Sequence, residues 1–272
     1  MPLRVKLLKY HGIQLEYLVI GDGHEVIICL HGHGRPAEDF LFLENNKRKV
    51  ISLRLFYHGG SNFPEDRIEK SPLSTEEFVE LFQLILQNES IHEFHLFAFS
   101  QGGRFTLSIM PFFAEKINSV TLLAPDGMDN NSFYNWSSRQ KWARALFQKY
   151  EKNPSRLLKQ TKIAVKLKLM RPKVRTFVDE FASDPETMRR ASLTWRAFRN
   201  IQPNTDMIKK TLNKKLFPFL IIMGSYDQVI RPKQAYKFAL KIGYKDCVIE
   251  IQNGHHFFKP SSILRIKELL PF

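Results

Sequence analysis

Phe94-His95-Leu96-Phe97-Ala98-Phe99-Ser100-Gln101-Gly102-Gly103 runs from a short, nearly continuous apolar segment into a glycine pair. Six residues of that composition fit a strand buried on both faces, as strands of a parallel sheet are. After the glycines the residues to about Ala114 are helical in tone. A strand, a sharp turn and a helix therefore meet at Ser100. Backbones crowd at such a corner, so small residues are needed on either side, and Ala98 and Gly102 supply them. The hydroxyl of Ser100 would stand clear of the sheet. The plainer reading of the same residues is a serine that caps a helix.

Strand and helix signals alternate on both sides of this corner. Val5–Leu8 and Ile13–Ile20 read as a strand pair with His11-Gly12 at the turn, and Glu25–Leu30 and Lys49–Leu55 as buried strands. Ser74-Thr75-Glu76-Glu77 has capping-box spacing ahead of Phe78, Leu81, Phe82 and Ile85 at helical intervals. Ser119–Ala124 is a further strand. The strand pattern then stops from about Gly127 to Asn213 and resumes with Leu216–Met223, a helix over Pro232–Ile242, a strand over Val248–Ile251 and a closing helix over Ile263–Leu270. This alternation implies an α/β fold with a mostly parallel, doubly wound sheet. The interruption is too long for a structureless loop. The expected organisation is a core from 1–126 and 214–272, with a helical cap inserted at 127–213.

Composition excludes several classes. Hydrophobic residues at 43% and charged residues at 25% are the balance of a globular domain. No uninterrupted apolar run approaches the roughly twenty residues that span a bilayer. The N-terminus reads as a strand and not as a signal peptide, so the expected location is cytoplasmic. Cys29 and Cys247 adjoin apolar runs and read as small buried hydrophobes. The net charge of +14 suits a solvated basic face, or weak contact with an anionic surface without stable membrane insertion. The chain has no nucleic-acid-binding motif.

Three further segments bear on Ser100. Leu30-His31-Gly32-His33-Gly34 follows a buried strand. A glycine-rich loop there can bring the N–H of His33, with that of Gln101, to a developing oxyanion. His31 and Gly32 would line the substrate. A metal site at these histidines would need ligands that the sequence does not cluster, and no metal is expected. Gly224-Ser225-Tyr226-Asp227 and Asn253-Gly254-His255-His256 each follow a later strand. A serine hydroxyl is a weak nucleophile until a histidine takes its proton, and that histidine needs a carboxylate to fix its tautomer.

Together these motifs resemble the α/β-hydrolase superfamily, in its serine-nucleophile branch with a helical cap. The resemblance rests on Leu30-His31-Gly32, Ala98-Phe99-Ser100-Gln101-Gly102, Gly224 to Asp227 and Gly254-His255, and covers nearly the whole chain outside the inserted segment. It implies Ser100 as nucleophile, Asp227 as acid and His255 as base, in the chain order this family uses. His256, followed by Phe257-Phe258, competes with His255, which has the glycine that commonly precedes the base. Asp126 could replace Asp227, since some members carry the acid one strand earlier, or could line the pocket. Arg54 stands where relatives usually have Asp, and His58 in the same loop reads as a residue that bonds backbone.

The implied activity is hydrolysis of an ester or thioester of a small-molecule substrate, without a cofactor. The alternative is a non-catalytic binding or receptor protein on the same fold. Phe133, Tyr134, Trp136, Trp142, Phe147, Phe177, Phe181 and Trp195 in the inserted segment would line an apolar acyl pocket or simply pack that segment. From Arg139 to Arg175 the only carboxylate is Glu151, which gives that stretch a basic face.

Overall fold

The computed structural model describes residues 3–129, 137–167, 179, 182 and 184–272. Two compact units are present, one of Met1–Phe63, Ser74–Asn130 and Asn200–Phe272, the other of Pro64–Leu73 and Asn131–Arg199.

The first unit is built on an eight-stranded sheet: β1 (Leu3–Tyr10), β2 (Ile13–Ile20), β3 (Glu25–Leu30), β4 (Arg48–Leu53), β5 (Phe94–Phe99), β6 (Ile117–Leu123), β7 (Phe219–Gly224) and β8 (Val248–Ile251). Their spatial order is β1-β2-β4-β3-β5-β6-β7-β8, parallel from β4 to β8 and antiparallel at β1 and β2. The continuous apolar runs explain the parallel part. Ile27 to Leu30 and Leu96 to Ala98 are wholly buried, which requires cover on both faces. The β1–β2 hairpin turns on His11 and Gly12, both at positive φ, 46° and 79°. β1 pairs on one side only, and Leu3, Val5 and Leu7 remain exposed there beside Arg4, Lys6 and Lys9. Charges of this kind discourage further strand pairing at an open edge.

Helices α1 (Thr75–Asn88), α2 (Gln101–Ile109), α6 (Thr205–Lys214), α7 (Pro232–Ile242) and α8 (Pro260–Leu269) complete this unit. Ser74 caps α1, its hydroxyl accepting from the Glu77 N–H at 3.1 Å. α2 ends at Ile109, short of the expected Ala114, because Pro111 lacks an N–H to continue the ladder. The chain runs on there as two 3-10 turns, Met110–Phe112 and Ala114–Lys116.

The second unit holds α3 (Lys141–Lys152), α4 (Pro154–Lys166) and α5 (Pro185–Ala197). Asn153 alone separates α3 from α4, with Pro154 at the first helical position. Phe147 of α3 and Trp195 of α5 stack with centroids 4.4 Å apart. Segment Pro64–Leu73 joins this unit through arginines: Arg144 donates to Glu69 at 2.8 Å and Arg199 to the Glu69 carbonyl at 3.0 Å. α6, by contrast, belongs to the first unit, where Ile208 and Leu212 are buried. Of the aromatic residues expected in the inserted segment, Phe133, Tyr134, Trp136, Phe177 and Phe181 lie outside the described residues.

Candidate active site

The connection after β3 runs to β4 on one side and that after β5 runs to β6 on the other, so they leave this neighbouring pair in opposite directions. The carboxyl ends of β3 and β5 thus border a crevice, the usual place for a ligand in an open parallel sheet. Residues 31–34 follow β3 and Ser100 follows β5.

Ser100 occupies the corner between β5 and α2 at φ 49° and ψ −115°, a conformation that L residues rarely adopt. Three backbone bonds hold it. Its N–H donates to the Leu123 carbonyl at 2.9 Å, and its own carbonyl accepts from Gly103 at 2.9 Å and Asp126 at 2.8 Å. The hydroxyl makes no capping bond to α2. Close approach of α2 to β3 is what demands glycine: a Cβ on Gly102 would lie 2.0 Å from the Leu30 carbonyl oxygen. One on Gly103 would lie 2.4 Å from Pro125.

His255 and Asp227 arrive from the loops after β8 and β7. These loops are laced together by backbone bonds from Ser225 to Ile251 and from Tyr226 to Asn253, both 2.9 Å. The His255 ring places Nε2 3.2 Å from Ser100 Oγ and Nδ1 2.6 Å from Asp227 Oδ2. Asp227 is buried, and its other oxygen accepts from the N–H groups of Val229 at 2.8 Å and Ile230 at 2.9 Å. With Nδ1–H donated to the carboxylate, Nε2 is left as the acceptor that faces the serine. The Phe99 ring lies 5.0 Å from that of His255. His256 is exposed, and its carbonyl accepts from Asn253 Nδ2 at 2.9 Å.

Asp126 is engaged elsewhere. Arg104, one turn beyond Ser100 on α2 and 1% exposed, grips it with Nε and Nη2, and the Gly127 N–H adds a bond of 2.7 Å. A third guanidinium nitrogen donates to the Ile201 carbonyl at 3.2 Å. Sequence reasoning missed Arg104; its place four residues after Ser100, on the same side of α2, is the signal that points to it.

The loop after β3 abuts the serine, since a Cβ on Gly32 would sit 3.2 Å from Ser100 Cβ. Two histidines hold this loop by backbone bonds. His31, fully buried, accepts from the Leu55 N–H at Nε2 (2.9 Å) and donates from Nδ1 to the Gly32 carbonyl (2.7 Å). Burial and the neighbouring His58 ring push its pKa down to about 3. His58 accepts from the Gly34 N–H at 2.9 Å and shares its Nδ1–H between the Leu55 and Phe56 carbonyls, each 3.1 Å away. Arg54 lies beneath these loops and pairs with Glu16 and Glu38. Gln101 is the first residue of α2, so its N–H is one that the helix itself leaves unbonded. Among the described residues no cluster of His, Cys, Asp and Glu is placed to hold a metal ion.

Comparison with known proteins agrees with the architecture. The profile of the alpha/beta hydrolase fold family matches residues 25–261. No curated protein matches the chain. Many solved structures do. A thioesterase domain from the curacin biosynthetic pathway superimposes with a TM-score of 0.66 at 15% identity, over 99% of this chain and 99% of its own. A thermophilic esterase from Thermogutta terrifontis does so with a TM-score of 0.65 at 15% identity, over 99% and 98%. A membrane phospholipase A gives a TM-score of 0.64 at 15% identity, over 98% of this chain and 85% of its own. With most of its length matched by the family profile and a mostly parallel sheet as expected, the chain belongs to the α/β-hydrolase fold family.

Proposed function

We propose that this protein is a serine hydrolase that cleaves an ester or thioester through an acyl-enzyme. The observation that carries the proposal is the unbroken contact series from Ser100 Oγ through the His255 ring to Asp227. Ser100 attacks the substrate carbonyl while its proton passes to His255 Nε2. Asp227 keeps Nδ1 protonated and stabilises the imidazolium that forms. The N–H groups of Gln101 and His33 receive the oxyanion, a type of contact that contributes about 3 kcal/mol per donor to the transition state. Collapse expels the alcohol or thiol, which takes the proton from Nε2. Water then attacks the acyl-serine with His255 as base again, and Ser100 regains its proton. No cofactor takes part.

His31 and Gly32 serve this site by shape. His31 ties the loop to Leu55, and Gly32 lets it pass beside Ser100. Phe99, whose ring lies beside that of His255, packs in turn on Phe257 and Phe258 and so steadies the loop that carries the base; the acyl group is read as apolar from the sequence. The esterase and thioesterase among the similar folds point to the same reaction class.

The test is a fluorophosphonate probe followed by mass mapping of the adduct. The expected result is a single adduct at Ser100, absent in Ser100→Ala, with turnover of aliphatic p-nitrophenyl esters or acyl thioesters abolished in that variant. Folded protein that neither labels at Ser100 nor turns over any acyl chain length would overturn the proposal.

A further inference from the structure

The basic stretch of the second unit also carries exposed apolar side chains. On α3, Trp142 and Leu146 stand one turn apart at 59% and 39% exposure; Ile163 in the last turn of α4 and Leu167, the residue that caps it, repeat the spacing at 57% and 61%. Helical phase puts Trp142, Leu146 and Lys149 on one side of α3, and Ile163 and Leu167 beside Arg156 and Lys159 on one side of α4. Lys141, Lys149 and Lys152 on the first helix and Arg156, Lys159, Lys162 and Lys166 on the second are all exposed. Among the described residues no ion pair engages any of these seven. The one carboxylate of the two helices, Glu151, is directed to Arg196 at 3.1 Å and Arg189 at 3.9 Å. A hydrogen bond from the Tyr150 hydroxyl to Gln160 joins the two helices.

We infer that α3 and α4 dock this protein on an anionic phospholipid surface. Trp142, Leu146, Ile163 and Leu167 enter the boundary between headgroups and acyl chains, while the cations meet lipid phosphates and carboxylates. Charge complementarity selects this partner. A second copy would bring the same cations face to face, and a nucleic acid gives four large apolar side chains no surface to bury. Attachment is peripheral, since among the described residues no helix is long and apolar enough to cross a membrane. The inference stands apart from the chemistry assigned to Ser100.

Co-sedimentation of the full chain with vesicles of phosphatidylcholine, alone or mixed with phosphatidylserine, tests it. Binding is expected only with phosphatidylserine present, to weaken as salt rises, and to shift tryptophan emission to shorter wavelength. The Lys159→Glu/Lys162→Glu/Lys166→Glu variant should bind more weakly by a factor of about ten or more. Ile163→Ser/Leu167→Ser should lose binding at a salt concentration that wild type tolerates, and Trp142→Phe should lose most of the emission shift. All these positions are exposed, so thermal unfolding serves as the folding control. No binding to the mixed vesicles, binding insensitive to both variants, or binding to a DNA duplex in preference to the vesicles would each overturn the inference.

Discussion

Arg104 closes on Asp126 with two prongs of its guanidinium, Nε to Oδ2 at 2.7 Å and Nη2 to Oδ1 at 2.9 Å. The pair joins the helix that begins at Ser100 to the end of β6, and it occupies both oxygens of Asp126. Asp227 has a different set of partners, with one oxygen on backbone and the other on His255. The two carboxylates should therefore fail differently. Asp227→Asn is expected to lower kcat about ten-thousandfold with little change in unfolding, by loss of the tautomer that leaves Nε2 free. Asp126→Ala is expected to cost about 2 kcal/mol of stability, because it removes the half-exposed carboxylate that two nitrogens of the buried Arg104 grip. Steady-state kinetics and urea unfolding of both variants separate these outcomes.

The adjacent histidines give a second contrast. His255→Ala should abolish turnover of any ester that wild type cleaves. His256→Ala removes an exposed ring and should change stability by no more than about 0.5 kcal/mol and leave kinetics nearly unaltered. A reversal of that order would move the base to His256.

His31 makes stability depend on pH in a defined window. The folded ring stays neutral down to about pH 3, whereas an unfolded histidine takes up a proton near its ordinary value of 6.5. Between those values the unfolded chain binds more protons, so stability rises with pH and is lost as pH falls from 6.5 toward 3. The slope from this one group is at most about 1.4 kcal/mol per pH unit, and it vanishes above 6.5. His31→Asn should be less stable at neutral pH and show a shallower decline on acidification, read from urea midpoints across that range.

Gly102→Ala places a methyl 2.0 Å from backbone oxygen and should prevent folding or lower Tm sharply. Gly254→Ala meets no atom within 4 Å and should be nearly silent in thermal unfolding.

That last difference shows what the sequence made legible. Buried strands announce themselves by unbroken apolar runs, and each strand expected from Val5 to Ile251 has an observed counterpart with ends shifted by a few residues, at β7 because Pro218 precedes it. The four motifs at strand ends were equally visible, because a corner, a glycine-rich loop and two strand-end loops have local chemistry. In the sequence Gly254 favours His255 over His256, yet it has open space where a Cβ would go. The approach of His255 to Ser100 and Asp227 depends instead on how the loops after β7 and β8 lie against each other, a relation between residues far apart in sequence. The hold of Arg104 on Asp126 was hidden for the same reason. So was the inclusion of Pro64–Leu73 in the helical unit, which depends on arginines more than seventy positions away.

The left-handed backbone at Ser100 sets two demands on one position against each other. A side chain held at φ 49° costs about 1–3 kcal/mol relative to a relaxed one, and no capping bond to α2 offsets it. Ser100→Gly should accordingly unfold at a higher temperature than wild type, by about 1 kcal/mol after the greater chain entropy of glycine is counted. On the proposed function, drift at this codon would trade activity for a sturdier fold, and the strain at this corner is the cost of keeping a hydroxyl there.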